Sequence, residues 1–417
     1  MKICIHRGTN EIGGNCIELE SQGKRLIIDL GIPLNAEKDL AQYLPEIEGL
    51  KEYCEDLSGI LISHIHQDHI GLIPYINPKT PLYMGKDSQS ILKKASKFQF
   101  NKFDYNQLNL NKFENKKSFN IGPFIITPFL MDHSAYDSYS LLIECDGKRF
   151  FYSGDFRNTG RKSRLIEELF NENLKNIDCM LIEGTTISKN SSHNSSFTEK
   201  DVENEMIKEF KKSKGLVFVQ ASSQNIDRIV SIYRACLRSS RHLVYDLYTS
   251  LIMEATNNRK LPQSDYDNVD LFIPQIQRVQ IKNNKWFDDL ANHSAKRIFM
   301  EDIKNNPEKY VILFRGIHLR DFKKQIELLE NSKYIYSLWE GYFEEDNFKS
   351  IREFLNKNEI QKISIHSSGH ADRSLIEQVI KKMNPLKIIP VHTENKEIFK
   401  EISENVYVAD DREWIEI

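Results

Sequence analysis

Apolar and polar positions alternate in short blocks along the first part of the chain. Lys2–Gly8, Asn15–Gln22 and Lys24–Gly31 read as short strands, joined by turn signals at Gly13-Gly14 and Gln22-Gly23. A further strand, Leu57–Ser63, runs straight into SHIHQDHIG and then a helix. SYSLLIECDGKRFFYSGD predicts a hairpin that turns at Asp146-Gly147 and ends at Asp155, and the strand CMLIE stops at Glu183. From about residue 195 the rhythm changes. Ser196 and Glu199 form a capping-box pattern ahead of an amphipathic helix reaching Lys212. Strands GLVFVQA, HLVYDL, YVILFRG and KYIYSLW then alternate with helices NIDRIVSIYRACLR, TSLIMEAT, DFKKQIELLE and NFKSIREFL, interrupted by a polar stretch over about 256–308. Such alternation predicts a parallel α/β unit. The chain closes on strand KISIHSSGH, helix RSLIEQVIKKM and strand LKIIPVHTE, and the polar run around Asn190–Ser196 predicts a linker.

Composition narrows the class. The 417 residues, 40% hydrophobic and 28% charged, suit two globular domains and exclude collagen-like, disordered and disulfide-scaffold chains. No apolar run approaches the roughly 20 residues that cross a bilayer, and MKICIHRGTNEIGG lacks the features of a secretory signal. Six scattered cysteines without a close pair read as reduced thiols, so a cytoplasmic protein is expected. The net charge of -3, from 57 basic and 60 acidic residues, argues against coating duplex DNA through bulk positive charge.

The strongest chemical signal is His64-Ile65-His66-Gln67-Asp68-His69, a compact set of nitrogen and oxygen donors suited to zinc. Four neighbours do not fill two metal sites, so further donors are expected at other strand ends. His133 in FLMDHSAYD, Asp155 in YSGDFR and His392 in IPVHTE each close an apolar run, which would bring them to one rim of a sheet. Asp132 is expected to orient its neighbour, and His193 falls in the linker.

Together these stretches resemble the β-CASP nucleases of the metallo-β-lactamase fold, among them ribonuclease J and the endonuclease subunit of cleavage and polyadenylation factor. SHIHQDHIG resembles the family's H-x-H-x-D-H signature, and MDHSAYD and YSGDFR its third and fourth motifs. LIEGTT, HSSGHAD and IPVHTE resemble motifs A, B and C, with Glu183, His370 and His392 at the key positions. Motif A reads Glu-Gly-Thr where Glu-Ser-Thr is commoner. FVQASSQNIDRI resembles the segment that opens the inserted domain.

The resemblance implies an αββα sandwich from residues 1–195 and 361–417, interrupted by a parallel α/β β-CASP domain over 196–360. It implies that His64, His66 and His133 hold one zinc, that Asp68, His69 and His392 hold another, and that Asp155 bridges them; manganese is the alternative metal. Asp68 joins His370 and Glu183 as catalytic residues, with His370 the general acid and Glu183 raising its pKa. Ser368 and Gly369 are expected to contact a phosphate oxygen. Ser222, Ser223, Asn225 and Arg228, at a strand-to-helix junction, form an expected phosphate seat, although N-capping by Ser223 explains part of that pattern. Arg157, Arg161, Lys162 and Arg164 read as a solvated basic loop. The implied activity is a two-zinc, hydroxide-driven ribonuclease that cuts single-stranded RNA internally, from the 5′ end, or both, with no membrane partner. The alternatives are a single-stranded DNA nuclease, a small-ester or thioester hydrolase on the same fold, and an inactive RNA-binding partner subunit. Because the sequence stops shortly after motif C, a ribonuclease J-type C-terminal dimerisation domain is not expected.

Overall fold

The computed structural model describes residues 1–99, 103–188 and 197–417, so the linker at 190–196, His193 and Ser196 lie outside the described residues. The chain divides into two compact units, Met1–Ser195 with Gly369–Ile417, and Ser196–Ser368.

The first unit begins with β1 (Lys2–Arg7), β2 (Cys16–Ser21), β3 (Lys24–Ile28), β4 (Leu57–Leu61), β5 (Leu82–Gly85) and β6 (Leu110–Phe113). It continues with β7 (Phe119–Ile121), β8 (Phe124–Met131), β9 (Ser138–Cys145), β10 (Lys148–Tyr152) and β11 (Cys179–Glu183). The second unit holds β12 (Val217–Gln220), β13 (His242–Tyr245), β14 (Val269–Leu271), β15 (Tyr310–Phe314), β16 (Lys333–Tyr336) and β17 (Gln361–Ser364). The chain then returns to the first unit with β18 (Lys387–Val391) and β19 (Trp414–Glu416).

Two sheets build the first unit, in the orders β19-β1-β2-β3-β4-β5-β6 and β18-β11-β10-β9-β8-β7. The second sheet explains the unbroken apolar runs. Leu141, Ile143, Phe150, Tyr152, Cys179, Leu181, Ile389 and Val391 pack into the cluster shared with the first sheet. The residues between them, Leu142, Phe151, Met180, Ile182 and Ile388, face the opposite way, onto helices Leu165–Phe170 and Arg373–Met383. Successive side chains thus enter two cores, which is the signature of a sheet covered on both faces. Because β8 and β10 are both antiparallel to β9, and β10, β11 and β18 are mutually parallel, the C-terminal ends of β8, β10, β11 and β18 reach one edge.

The second unit is one parallel sheet in the order β14-β13-β15-β12-β16-β17. Its extent corrects the predicted boundary. Gln361–Ser364 pairs along β16 as an edge strand, so the inserted unit runs to residue 368 and not 360. The helix reaching Lys212 is capped by Thr198 and Asp201, not by Ser196 and Glu199. Glu199 is instead buried against Arg228. The polar stretch at 256–308 contains β14 and helices Gln275–Asn284, Phe287–His293 and Met300–Asn305. Its periodicity is weak because the first of these helices buries only Gln277 and Ile281. DFKKQIELLE forms two one-turn segments, Leu319–Phe322 and Ile326–Leu329, with Gln325 breaking the helix between them. Among the described residues no helix is long and apolar enough to cross a membrane.

Candidate metal centre

The histidine-rich loop is seated by backbone hydrogen bonds on the segment after β3 and on the residue before β2. Leu30 N donates to the His69 carbonyl at 2.7 Å, Ile32 N to that of Gln67 at 3.1 Å, and Asn15 N to that of Asp68 at 3.1 Å. Gly31 permits this approach, since a Cβ there would lie 1.6 Å from the Asp68 carbonyl oxygen. The loop therefore delivers His64, His66, Asp68 and His69 to the edge where β8 leads into His133, β10 into Asp155 and β18 into His392. His392 has φ 53°, a left-handed conformation unusual for a side chain with a Cβ, and its N–H donates to the Gly8 carbonyl at 2.7 Å.

One ring nitrogen of most of these histidines is held from behind. His64 Nδ1 lies 3.1 Å from Ser63 Oγ, His69 Nδ1 2.7 Å from Asp29 Oδ2, His133 Nδ1 2.6 Å from the Gly369 carbonyl, and His392 Nδ1 2.8 Å from Thr185 Oγ1. Their Nε2 atoms point inward. His133 Nε2 is 3.1 Å from His66 Nδ1, and His392 Nε2 is 3.2 Å from Asp68 Oδ2. Asp155 Oδ2 sits 3.2 Å from His69 Nε2, 3.8 Å from His64 Nε2 and 3.9 Å from both His133 and His392 Nε2. His64 Nε2, His69 Nε2 and both Asp155 carboxylate oxygens are buried with no hydrogen-bond partner. Buried polar atoms without partners are costly. Here they converge: His64, His66 and His133 form one group, and Asp68, His69, Asp155 and His392 another, with ligand atoms within 4.8 Å of one another in each. This nitrogen and oxygen set fits divalent transition-metal ions.

Electrostatics agree with that fit. Burial, reinforced by the neighbouring rings, holds His64 and His133 well below the usual imidazole range, and burial pulls His66 down to about 4. Neutral rings are what a cation requires. His69 departs upward: burial opposes its charge, but Asp155 and Asp29 outweigh it. Burial pushes Asp68 and Asp155 up, yet His392 and His69 carry both well below the carboxylate range.

His370 stands beside this set. Its Nδ1 is 3.0 Å from Glu183 Oε2 and 3.7 Å from Asp155 Oδ2. Burial lowers its pKa, but the charge and hydrogen bond of Glu183, with Asp155 and Asp68 behind, lift it to about 9. Glu183 is itself fixed, because its Oε1 accepts from Phe156 N at 2.8 Å.

Several expected contacts take other roles. Gly369 meets the centre through its carbonyl, on His133, and exposed Ser368 belongs to the second unit. Arg157 is not part of a solvated loop. It is fully buried, and its Nε lies 3.4 Å from Asp132 Oδ1. Asp132 also accepts from Gly160 N at 2.8 Å, so it anchors the loop after Asp155. Arg161 and Lys162 are half-buried, and Lys162 Nζ donates to the Tyr136 carbonyl, which leaves Arg164 exposed. In the second unit, Arg228 is buried and saturated. Its Nε and Nη2 bind Glu199, and its Nη1 binds the carbonyl and hydroxyl of Ser337 at 2.7 and 2.6 Å. Asn225, and not Ser223, caps the following helix by accepting from Arg228 N, while buried Ser223 pairs with Thr249 at 2.8 Å. Only Ser222 of that expected phosphate seat is exposed, and its Oγ accepts from Gln224 N. Arg228 and Ser223 therefore build the fold of their unit.

Asp29 is the residue that sequence reasoning missed. Its carboxylate receives Ser63 N, Ser63 Oγ and the Tyr152 hydroxyl as well as facing His69. The signal was present in LIIDLG, an acid closing an apolar run like Asp155 in FFYSGD.

Residues 25–214 match the Beta-lactamase superfamily domain, and residues 359–403 match the Zn-dependent metallo-hydrolase RNA specificity domain. Ribonuclease J of Helicobacter pylori (strain ATCC 700392 / 26695) is 22% identical over 441 residues, covering 100% of this chain and 61% of its own length. Ribonuclease J of Mycoplasma genitalium is 24% identical over 411 residues, covering 95% and 68%. The chain thus spans 61% to 68% of the length of these curated relatives. A crystal structure of a protein of unknown function from Enterococcus faecalis V583 superposes with a TM-score of 0.80 at 19% identity, over 99% of each chain, which establishes a shared fold.

Proposed function

Because the chain belongs to the metallo-β-lactamase superfamily and carries the RNA-specificity domain of its zinc-dependent hydrolases, we propose that it hydrolyses phosphodiester bonds of single-stranded RNA with two divalent ions, zinc first among them. The observation that carries this reading is the convergence of buried, unpartnered His64 Nε2, His69 Nε2 and Asp155 oxygens at one strand edge. His64, His66 and His133 would hold one ion, Asp68, His69 and His392 the other, and Asp155 would lie between them. When bound, such ions supply Lewis acidity that lowers the pKa of water and neutralises charge on the phosphodiester.

The protein's own groups do the rest. Asp29, Gly369 and Thr185 fix the rear nitrogens of His69, His133 and His392, so the Nε2 lone pairs face inward. Asp68, whose side chain is 19% exposed, would orient the attacking water as well as bind metal. His370 gives its Nε2 proton to the departing sugar oxygen, and Glu183, facing Nδ1, keeps the ring protonated beforehand. The likeness to an RNA specificity domain and to relatives named ribonuclease J favours RNA over DNA. All six cysteines are unpaired, which suits the reducing cytoplasm.

The test is to incubate the purified chain with 5′-monophosphorylated and 5′-triphosphorylated single-stranded RNA, with matched DNA alongside, and to size the products. Cleavage of RNA that stops on chelation is expected. A ladder indifferent to the 5′ group indicates internal cutting, and mononucleotides from the monophosphorylated strand indicate 5′-to-3′ trimming. Full metal occupancy with no cleavage of either RNA would sink the proposal.

A further inference from the structure

We infer that the second unit carries a binding site of its own for the phosphoryl group of a nucleotide, at the C-terminal edge of its sheet beside Arg315. The inference stands apart from the metal-dependent reading, since every residue it uses lies in the second unit. All strands there are parallel, so every strand's C-terminal end opens on one edge. Adjacent β13 and β15 lead away from each other, β13 to β14 on one side and β15 toward β16 on the other. Diverging connections of this kind leave a crevice between the two loops, the usual ligand position in open parallel sheets.

Arg315 is the first residue after β15 and enters that crevice region already braced. Its Nη2 pairs with Asp246, the residue following β13, and its guanidinium carbon stands 4.5 Å from the centre of the Tyr248 ring. Its Nε is buried and makes no hydrogen bond. A second buried donor lies close by in the fold. Gln277, 1% exposed, accepts from Leu247 N at 3.1 Å through Oε1, which fixes the orientation of its amide and leaves Nε2 without a partner. Both unpartnered donors are thus tied to the single step Asp246–Leu247. The helix carrying Gln277, Gln275–Asn284, packs on the turn Gly316–His318 that follows Arg315. Leaving a buried donor without an acceptor costs about 1–3 kcal/mol, so two together call for an acceptor-rich ligand.

The ligand's chemistry follows from the donors. Helices Ile226–Arg238 and Leu247–Ala255 both begin at this edge, where their dipoles favour negative charge. A guanidinium clamped between a carboxylate and an aromatic face is preorganised to offer its remaining N–H groups to an oxyanion. A tetrahedral phosphoryl group presents acceptors in several directions, as donors on two different elements require, whereas a carboxylate presents them in one plane. A side chain added at Gly316 would meet nothing within 4 Å, so the turn beside Arg315 borders open space. Two sources share this chemistry, a free mononucleotide and a phosphate within an RNA strand.

Equilibrium dialysis of the full chain in chelator separates them, with labelled uridine 5′-monophosphate in one arm and a short 5′-hydroxyl oligoribonucleotide in the other. Binding in either arm should weaken by about tenfold or more in Arg315→Gln, the loss expected for one charge-assisted hydrogen bond. Arg315→Lys should weaken it too, because lysine keeps the charge but lacks Nε, and Gln277→Leu gives an independent reading should an arginine variant misfold. Arginine-dependent binding of the mononucleotide supports a free-nucleotide site; such binding of the oligonucleotide alone supports a strand-phosphate site. Equal binding by the parent and by folded Arg315→Gln and Gln277→Leu, or no binding of either probe by the parent, overturns the inference.

Discussion

Two buried polar clusters, one in each unit, look alike in composition and differ in completion. Around Arg228, the guanidinium nitrogens, both Glu199 oxygens and the hydroxyls of Ser231 and Ser337 all find partners inside the unit. Around Asp155, two imidazole nitrogens and both carboxylate oxygens make no well-aligned hydrogen bond, His69 Nε2 and Asp155 Oδ2 merely facing each other at 3.2 Å, although every one is out of water. Burial of charged and polar groups is therefore not what distinguishes a working site. A saturated cluster is a fastener, and an unsaturated one has room for something that the chain does not itself supply.

The largest effect that can break this contrast is expected at the open cluster. Asp155→Ala removes a ligand of the Asp68, His69 and His392 group whose Oδ2 also lies 3.8 Å and 3.9 Å from His64 and His133 Nε2, so bound metal should fall below two equivalents. Cleavage should drop by roughly 10³-fold or more, the equivalent of several kcal/mol of Lewis-acid stabilisation. Metal analysis and initial rates check both, and a variant that kept its metal and its rate would make the open atoms irrelevant. Next in size is His370→Ala, with a loss of about 10²–10⁴-fold and unchanged metal content. A substrate with a bridging sulfur at the scissile bond leaves without needing a proton, so it should recover most of that loss. Without such recovery, His370 is not the acid.

At the closed cluster, the same kind of substitution should act on stability and leave the metal alone. Arg228→Met strands the Glu199 carboxylate, and breaking a buried pair in this way costs about 3–5 kcal/mol. Denaturant unfolding with metal analysis beside it checks the claim. The double variant Arg228→Met with Glu199→Leu should win back most of the stability, because no buried charge is then left over.

The contrast also marks what could be read from residue order. The convergence of these seven donors was legible because His64–His69 packs four donors into six residues, and because His133, Asp155 and His392 each close an apolar run. The layered first unit was legible in the same runs, which lack polar alternation since both faces are covered. Arg228 misled for a physical reason. A polar strand-to-helix junction serves equally for holding phosphate and for capping a helix, and residue types cannot tell an arginine that meets Glu199 from one that meets solvent. The boundary at 360 misled because KISI is edge strand in one sheet while the histidine motif after it serves another unit. β14 escaped because a three-residue strand among weakly amphipathic helices leaves almost no periodicity.

Asp29 offers the finest test of the contrast, because it is fully buried and saturated yet touches the open cluster. Its Oδ2 lies 2.7 Å from His69 Nδ1 and receives the Tyr152 hydroxyl at 2.8 Å, and Tyr152 Oη in turn accepts from Asn15 Nδ2 at 3.2 Å. That chain fixes which nitrogen of His69 carries the proton, and the tautomer decides whether Nε2 has a lone pair to offer. Asp29→Asn exchanges one acceptor oxygen for an N–H donor. The amide must then either oppose His69 Nδ1 with a donor or turn over and lose the hydrogen bond from Ser63 N at 2.7 Å. An ion at the Asp68, His69, Asp155 and His392 group should bind about 10–100-fold more weakly, while one at the His64, His66 and His133 group would keep its affinity. A chelator competition would then show two separated steps where the parent releases its metal more nearly together. Loss of both ions to the same degree would mean that the two ligand groups act as one site, and that Asp29 supports the fold of the edge rather than a single histidine.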